Sequence, residues 1–301
     1  MRRIYHLAIF GMALLLGACS PGRKVVGNSG GNAEFRVASY NIRYAAKMDE
    51  ESGNSWAVRK IPLAELIRNH GFDIVGTQEG NNTQLTDLEP LLPGYSYVKR
   101  PYGGNNTGSS HNCAIFYKTA LFDILDDGVF WYSETPDVES IGWDATDLRL
   151  CQWIKFREKD TKQEFFFFNS HFYWRYQTAK QNSGAVFVKK AREIAGNAPM
   201  ISTGDFNSGI DSPQIKDILT LLRDSYQIAE TVKEGAEGTG FAGGVFEGPP
   251  GGRIDFVFVS DQFRVLDYQV LADDYVTPEG ATRYPSDHLP VTCKLSLGAP
   301  R

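Results

Sequence analysis

The sequence is poor in cysteine and in positive charge. Four cysteines in 301 residues are too few for the disulfide framework on which small secreted domains depend. Cys113, Cys151 and Cys293 each lie in an apolar or alternating run and read as buried thiols that behave as small hydrophobes. With 31 Lys+Arg against 36 Asp+Glu the formal net charge is −5, which argues against a dedicated, sequence-independent grip on duplex DNA. No internal repeat is visible, and no glycine-rich phosphate loop stands directly between a strand and a helix. The apolar run Leu7–Leu16 is much shorter than the roughly 20 residues of a membrane-spanning helix. What is present is 42% hydrophobic and 13% aromatic, a globular balance able to bury a full core, which excludes disorder, a collagen repeat and a coiled coil. One domain is the expectation, because layered α/β folds of this length often form a single unit.

Met1–Ser20 reads in three parts: a cationic start at Arg2 and Arg3, an apolar stretch, and small residues before a cysteine. This is the pattern of a secretory signal. Its end, Leu16-Gly17-Ala18-Cys19, resembles the lipobox of bacterial lipoproteins, which implies cleavage before Cys19 and lipid on its sulfur and new N-terminus. The alternative is a secreted protein cut near Ala18. On the lipoprotein reading residues 1–18 are the signal peptide, and their removal takes away two arginines and no acid, leaving a charge of −7. The protein would then sit on a bacterial envelope membrane, facing the periplasm or the cell surface. Residues 19–33, rich in glycine, asparagine and serine, have the composition of a flexible tether. The folded domain is expected over 34–301, as a monomer.

Strands are expected at 35–42, 72–77, 113–118, 147–156, 164–172, 199–204, 253–260 and 289–297, where β-branched or aromatic runs stop at polar or glycine signals. Phe165 to Phe168 is apolar on both faces, as a strand between two layers must be. Helices are expected from Ser212-Pro213 to Leu222, over 178–195, and from Trp56 to His70, where Pro62 implies a kink or a late start. Strands and helices alternate irregularly, which suggests a mixed-sheet α/β fold. Two glycine-rich loops, 102–110 and 235–252, exceed the usual connection length and either border a site or lie disordered.

Polar residues recur at the ends of these strands: Asn41, Glu79, Asn169 and His171, and Asp205 and Asn207. Asp255 follows inside the strand Arg253–Ser260, and Asp287-His288 stands just before the last one. Each has a structural explanation when taken singly, such as a turn aspartate or a core histidine. Strand ends at one sheet edge converge, so the set together points to chemistry.

Tyr40-Asn41-Ile42-Arg43-Tyr44, Thr77-Gln78-Glu79, Asn169-Ser170-His171, Thr203-Gly204-Asp205-Phe206-Asn207, Arg253-Ile254-Asp255-Phe256 and Ser286-Asp287-His288 resemble, in order and spacing, the motif set of the endonuclease/exonuclease/phosphatase superfamily. Phe130–Pro136 and Gly142-Trp143-Asp144-Ala145 resemble a branch common among secreted bacterial members. The resemblance implies a four-layer sandwich, two mixed β-sheets packed face to face and flanked by helices, with the site at one edge between the sheets. It implies that Glu79 binds magnesium, or alternatively manganese, with Asp287 and Asn41 near the ion. Asp205 would orient and deprotonate the attacking water, and Asn207 would hydrogen-bond the phosphate. His288 would donate to a non-bridging phosphate oxygen or act in proton transfer, with Asp255 holding its ring, and His171 would contact the phosphate from the opposite side. Arg149 is a candidate phosphate clamp.

Three departures bear on substrate. Abasic-site endonucleases of the superfamily carry an acidic residue where this chain has Arg43, so a DNA-repair role is not expected. After His171 the chain reads Phe172-Tyr173-Trp174 where many relatives in the branch have Leu-Asp-His, replacing polar contacts with aromatic ones. Relatives often carry an acid near His111, which is here either a substrate contact or a loop histidine.

The expected activity is metal-dependent hydrolysis of phosphate esters, of the phosphodiesterase type, with a nuclease or a sphingomyelinase-like phospholipase as variants within that class. Magnesium suits few carboxylate ligands and phosphate oxygens. Two other classes are open: a non-catalytic ligand-binding lipoprotein on the same fold, and a glycoside hydrolase, against which the accompanying Asn and His residues argue. Trp131, Trp143 and Trp174 are candidates to stack on a base or sugar, to insert at a membrane surface, or to sit in the core. Cys19→Ala is expected to move the protein from the membrane to the soluble fraction of a bacterial host and to abolish fatty-acid labelling. Unchanged membrane recovery would refute the anchor.

Overall fold

The computed structural model describes residues 31–102 and 110–298. Cys19, the signal segment and most of the tether lie outside the described residues, as does most of the 102–110 loop. The chain begins with β1 (Ala33–Asn41), α1 (Lys47–Glu51), α2 (Trp56–Asn69), β2 (Ile74–Gln78), α3 (Asn82–Leu88), β3 (Tyr95–Tyr102), β4 (His111–Lys118), β5 (Phe122–Trp131) and β6 (Leu150–Glu158). There follow β7 (Glu164–His171), α4 (Gln177–Ala195), β8 (Met200–Asp205), α5 (Pro213–Ile218), β9 (Arg223–Asp224) and α6 (Ser225–Ile228). It closes with β10 (Asp255–Val259), β11 (Phe263–Val270), β12 (Tyr275–Val276), β13 (Thr282–Arg283) and β14 (Val291–Leu297).

Two mixed six-stranded sheets form, in the orders β11-β14-β1-β2-β4-β3 and β5-β6-β7-β8-β10-β9. In the first, β1 and β2 run parallel; in the second, β7 and β8 do. The other pairings are antiparallel. Each parallel pair is joined by a helix-bearing crossover, through α2 and through α4, as parallel strands require.

The Phe165–Phe168 run shows why two layers meet here. Phe165 and Phe167 face the inter-sheet core with Phe35, Phe122, Phe156 and Phe263. Phe166 and Phe168 face the opposite way, against Phe187 and Ala191 of α4 and Ile215 and Ile218 of α5. Burying each phenyl ring contributes about 2 kcal/mol. The outer face of the first sheet is covered in the same way by Leu63, Leu66 and Ile67 of α2 and Leu85 and Leu88 of α3. The result is the four-layer sandwich.

Local chemistry fixes the helices. α2 runs through Pro62 from Trp56 onward, so the late start is not adopted. The proline stands half-buried on the helix, where tertiary packing of Leu63, Leu66 and Ile67 outweighs the lost backbone bond. α4 has Tyr176 at its N-cap position and no cap of its own. Asp144 supplies one from a distant loop, accepting from Thr178 N at 3.1 Å and Ala179 N at 2.7 Å, where a carboxylate also suits the helix dipole. Cys113, Cys151 and Cys293 are free and buried. Among the described residues no helix is long and apolar enough to cross a membrane.

The sheets approach closely at Gly76 of β2. A Cβ there would overlap Thr203 Oγ1 and stand 2.6 Å from Asn169 Oδ1. Around it, Gln78 Nε2 donates to Asn169 Oδ1 at 2.7 Å and Asn169 Nδ2 donates to Thr77 O at 2.9 Å. Gly76→Ala is expected to destabilise the fold by about 1–3 kcal/mol, the usual cost of overpacking a tight interior, read as a lowered urea midpoint at unchanged slope.

Candidate active site

The four central parallel strands end at one edge, where open α/β sheets place their ligands. Asn41 and His171 are the last residues of β1 and β7, Asp205 is the last of β8, and Glu79 directly follows β2. Antiparallel neighbours bring two more groups from far along the chain. Asp255, the first residue of β10, lies opposite Asp205 in the ladder, and His288 precedes β14. Arg43, Glu79 and Asn207 leave their strands with left-handed backbone, φ 52°, 69° and 48°. Such conformations cost energy in non-glycine residues and persist where the surroundings hold them.

Asp205 is buried at the centre. Its Oδ2 accepts from Asn41 Nδ2 at 3.1 Å and its Oδ1 from Asn207 N at 2.9 Å. His171 Nε2 stands 3.4 Å and His288 Nε2 3.7 Å from the same Oδ2. Burial pushes the Asp205 carboxyl up, but His288, the hydrogen bond from His171 and the Asn207 N–H outweigh it and hold it far below the ordinary carboxylate range. On the other side Asn41 Nδ2 donates to Glu79 Oε1 at 3.1 Å, while Asn41 Oδ1 accepts from Arg43 N at 3.0 Å. Asn41 thus presents its amide hydrogens to both carboxylates. Burial raises the Glu79 carboxyl, yet the imidazole of His171 and the guanidinium of Arg43 pull it down to about 2.

The histidines are held from behind. Tyr102 Oη accepts from Glu79 N at 3.1 Å and lies 2.5 Å from His171 Nδ1. Arg149 Nη1, which can only donate, is 3.4 Å from the same nitrogen. Nδ1 therefore faces the hydroxyl and the guanidinium, and Nε2 is the ring nitrogen turned toward Asp205. His288 Nδ1 is 2.9 Å from Asp255 Oδ2. Burial alone would lower the His288 ring, but Asp255, Asp205 and Asp287 around it hold it well above the ordinary imidazole value.

Of the residues expected from the sequence, Glu79, His111, Arg149, His171, Asp205, Asn207, Asp287 and His288 line one cleft of about 480 Å³. Asn41 and Asp255 are fully buried and hold these groups from behind. Arg149 stands just before β6 and not within a strand beginning at 147, because pairing with β5 starts at Leu150 opposite Trp131. Asn207 turns one amide hydrogen away, Nδ2 donating to Phe172 O at 3.0 Å. His111 packs against the Tyr44 ring at 4.5 Å, and burial pushes it down to about 4, so it is a neutral group at the cleft wall. The 235–252 loop borders the site through Phe241 and Gly243. Trp131 is buried and Trp174 is an exposed side chain at the cleft.

Several participants were missed from the sequence. Tyr102 carries no motif, and Arg43 entered only as a departure. Its Nε donates to Asp49 Oδ2 at 3.1 Å and its Nη1 lies 3.5 Å from Asp287 Oδ2. Asp147 also lines the cleft unannounced.

The donor chemistry fits a hard divalent cation. Glu79, His171 and Asp205 offer ligand atoms within 4.8 Å of one another. Asp287 lines the same cleft, and its Oδ1 is buried with no hydrogen-bond partner. Carboxylate oxygens in that state are what magnesium or manganese takes.

A profile of the Endonuclease/Exonuclease/phosphatase family matches residues 38–288. An endonuclease/exonuclease/phosphatase family protein from Bacteroides thetaiotaomicron is 39% identical, with a TM-score of 0.81 over 89% of this chain and 99% of that one. A mannosyl-6-phosphatase from Bacteroides thetaiotaomicron is 39% identical, with a TM-score of 0.79 over 87% of this chain and 99% of that one. An endonuclease/exonuclease/phosphatase from Bacteroides vulgatus is 33% identical, with a TM-score of 0.77 over 88% of this chain and 99% of that one.

His288 carries a pH consequence. A folded value above the unfolded one, about 6.5, contributes stability that is fully present below pH about 6.5 and is lost as pH rises through the folded value. In Asp255→Asn the ring loses its nearest carboxylate, so its NMR titration is expected to move down, and the stability advantage at acidic pH to shrink. A ring that titrates unchanged in the variant would refute the pairing.

Proposed function

The chain belongs to the endonuclease/exonuclease/phosphatase family, and from that membership we propose that it is a metal-assisted hydrolase of phosphoric esters in which Asp205 orients and deprotonates the attacking water. The observation that carries this is the Asp205 carboxylate, fixed by Asn41 and Asn207 N–H and flanked by two imidazoles in an open cleft. Water held by Asp205 attacks phosphorus, its proton passes to the carboxylate as the P–O bond forms, and the opposite P–O bond breaks, its electron pair leaving on the alcohol oxygen, which takes a proton from solvent in the open cleft. Because Asp205 is a weak base, transfer occurs as attack develops and the water becomes acidic. The His288 imidazolium, oriented by Asp255, donates to a non-bridging oxygen where charge accumulates, and His171 Nε2–H donates from the other side. Glu79 and Asp287 would hold the magnesium or manganese ion, with Asn41 positioning Glu79. The bound ion supplies positive charge to the phosphate oxygens.

The diesterase type remains our first reading. A sugar-phosphate monoesterase is the second, favoured by the 39% identity with a mannosyl-6-phosphatase. The Leu16–Cys19 pattern supports placing the domain on an envelope membrane through Cys19, with substrates reached from the tether. Negative charge supports small esters over duplex DNA.

Hydrolysis of bis-p-nitrophenyl phosphate, p-nitrophenyl phosphate and mannose 6-phosphate, with magnesium or with EDTA, tests the reading. Turnover of one class is expected with metal only, and Asp205→Ala and His288→Ala are expected to lower kcat/KM about 10²–10⁴-fold, the usual contribution of positioned acid–base groups. Equal rates in the parent and both variants would overturn it.

A further inference from the structure

One wall of the cleft carries groups whose donors and acceptors the hydrolysis does not exhaust. Arg149 is 7% exposed, and its guanidinium is packed over the rings of Tyr102 at 5.3 Å and Tyr173 at 5.8 Å. Its Nε is buried with no hydrogen-bond partner, and the carboxylate found near it, Asp147 Oδ2, is 3.9 Å from Nη2. Asp147 itself lines the cleft, and among the described residues no hydrogen bond to its carboxylate is found. A buried guanidinium nitrogen without a partner is costly, while the Asp147 side chain, 31% exposed, keeps its acceptors open to a ligand.

The third element is Trp174. Phe172 is sunk in the core, and Tyr173 is buried with its hydroxyl 3.0 Å from Thr146 Oγ1. These two fix the backbone and leave Trp174, 56% exposed, projecting at the cleft mouth. An exposed indole at a site lined by charged groups offers an apolar face to a ligand that is polar at its rim.

We propose that Trp174, Asp147 and Arg149 form a subsite for a polyhydroxylated alcohol, a sugar, esterified to the phosphate held between Asp205 and His288. Hydroxyls both donate and accept, so neighbouring hydroxyls on one ring satisfy Arg149 and Asp147 together while the C–H face lies on the indole. A polyanion is disfavoured, because Asp147 would repel a further phosphate. The inference rests on the phosphoester hydrolase reading and names its substrate class.

The test uses the chain from Glu34 onward carrying Asp205→Asn, with magnesium, and calorimetric titration of mannose 6-phosphate and n-propyl phosphate. The sugar ester is expected to bind at least about ten-fold more tightly than the propyl ester, since a site built for hydroxyls discriminates strongly against ligands that lack them. Adding Trp174→Ala or Asp147→Asn is expected to bring that ratio toward one, and Trp174→Phe to retain most of it. A ratio near one in the parent, or a ratio that survives both substitutions, overturns the subsite while leaving the hydrolase reading intact. If no ester binds and the unmutated enzyme turns none over, the hydrolase reading fails and the subsite with it.

Discussion

The site depends on two sheets that cannot slide past one another. An apolar inter-sheet core is adhesive but tolerant of small shifts, since phenyl rings repack at modest cost. The polar seam just beneath the cleft is not tolerant. Gln78 of the first sheet donates to Asn169 of the second, and Asn169 returns a bond to Thr77 O. Thr203 Oγ1 joins at 3.3 Å from Asn169 Oδ1, and only a hydrogen at Gly76 leaves room for the approach. Buried amides that miss their partners lose more than a normal bond contributes, so one register is selected. That register sets Asn41 and Glu79 opposite His171 and Asp205.

Above the seam the loops need a second restraint, and Arg59 provides it. It is fully buried on α2 and donates to Asn54 O at 2.9 Å, Ile42 O at 3.1 Å and Pro285 O at 2.9 Å. Longer contacts reach Arg43 O and Tyr44 O. One guanidinium therefore ties the turn after β1 to the turn before Asp287 and His288. Gln84 closes the same turn from α3, capping the helix at Asn81 and donating to Arg43 O at 2.8 Å. The left-handed Arg43 and Glu79 can be sustained because carbonyls and amides around them are already committed.

The limits of legibility in the sequence follow from this architecture. The eight expected strands are the interior ones, β1, β2, β4, β6, β7, β8, β10 and β14. Of the strands missed, β3, β5, β9 and β11 are the four edges of the six-stranded sheets, and β12 and β13 pair separately as two-residue strands. Edge strands are half solvated and blunted by charge, proline and bulges. β3 holds Lys99, Arg100 and Pro101, while β5 and β11 carry register shifts near Asp126 and Asp267. The site was legible because most of its residues end or follow interior strands. Tyr102 was not, since it ends an edge strand. Asp147 stands in an irregular connection with no periodicity to mark it. Arg59 left a trace: it shares the buried face of α2 with Trp56, Leu63, Leu66 and Ile67, and a charge on an apolar stripe signals a committed partner.

The absence of a sequence repeat conceals a structural one. β1–α2–β2 and β7–α4–β8 are each a parallel pair with a helical crossover, at the middle of their own sheets. Such units need only buried runs and a helix of the right length, which unrelated sequences satisfy equally. The halves differ where they meet. The first contributes Glu79 and Arg43, acid balanced by a fixed guanidinium, on the side suited to a cation. The second contributes His171 and Asp205, acid balanced by imidazole, on the side suited to water. Asn41 stands at the junction with both amide hydrogens engaged, one carboxylate from each half at 3.1 Å. A neutral amide at that point separates two acids that would repel if adjacent, and it couples their orientations without moving a proton. An aspartate there would add a third negative charge, and a leucine would leave both carboxylates short of a donor in a buried site.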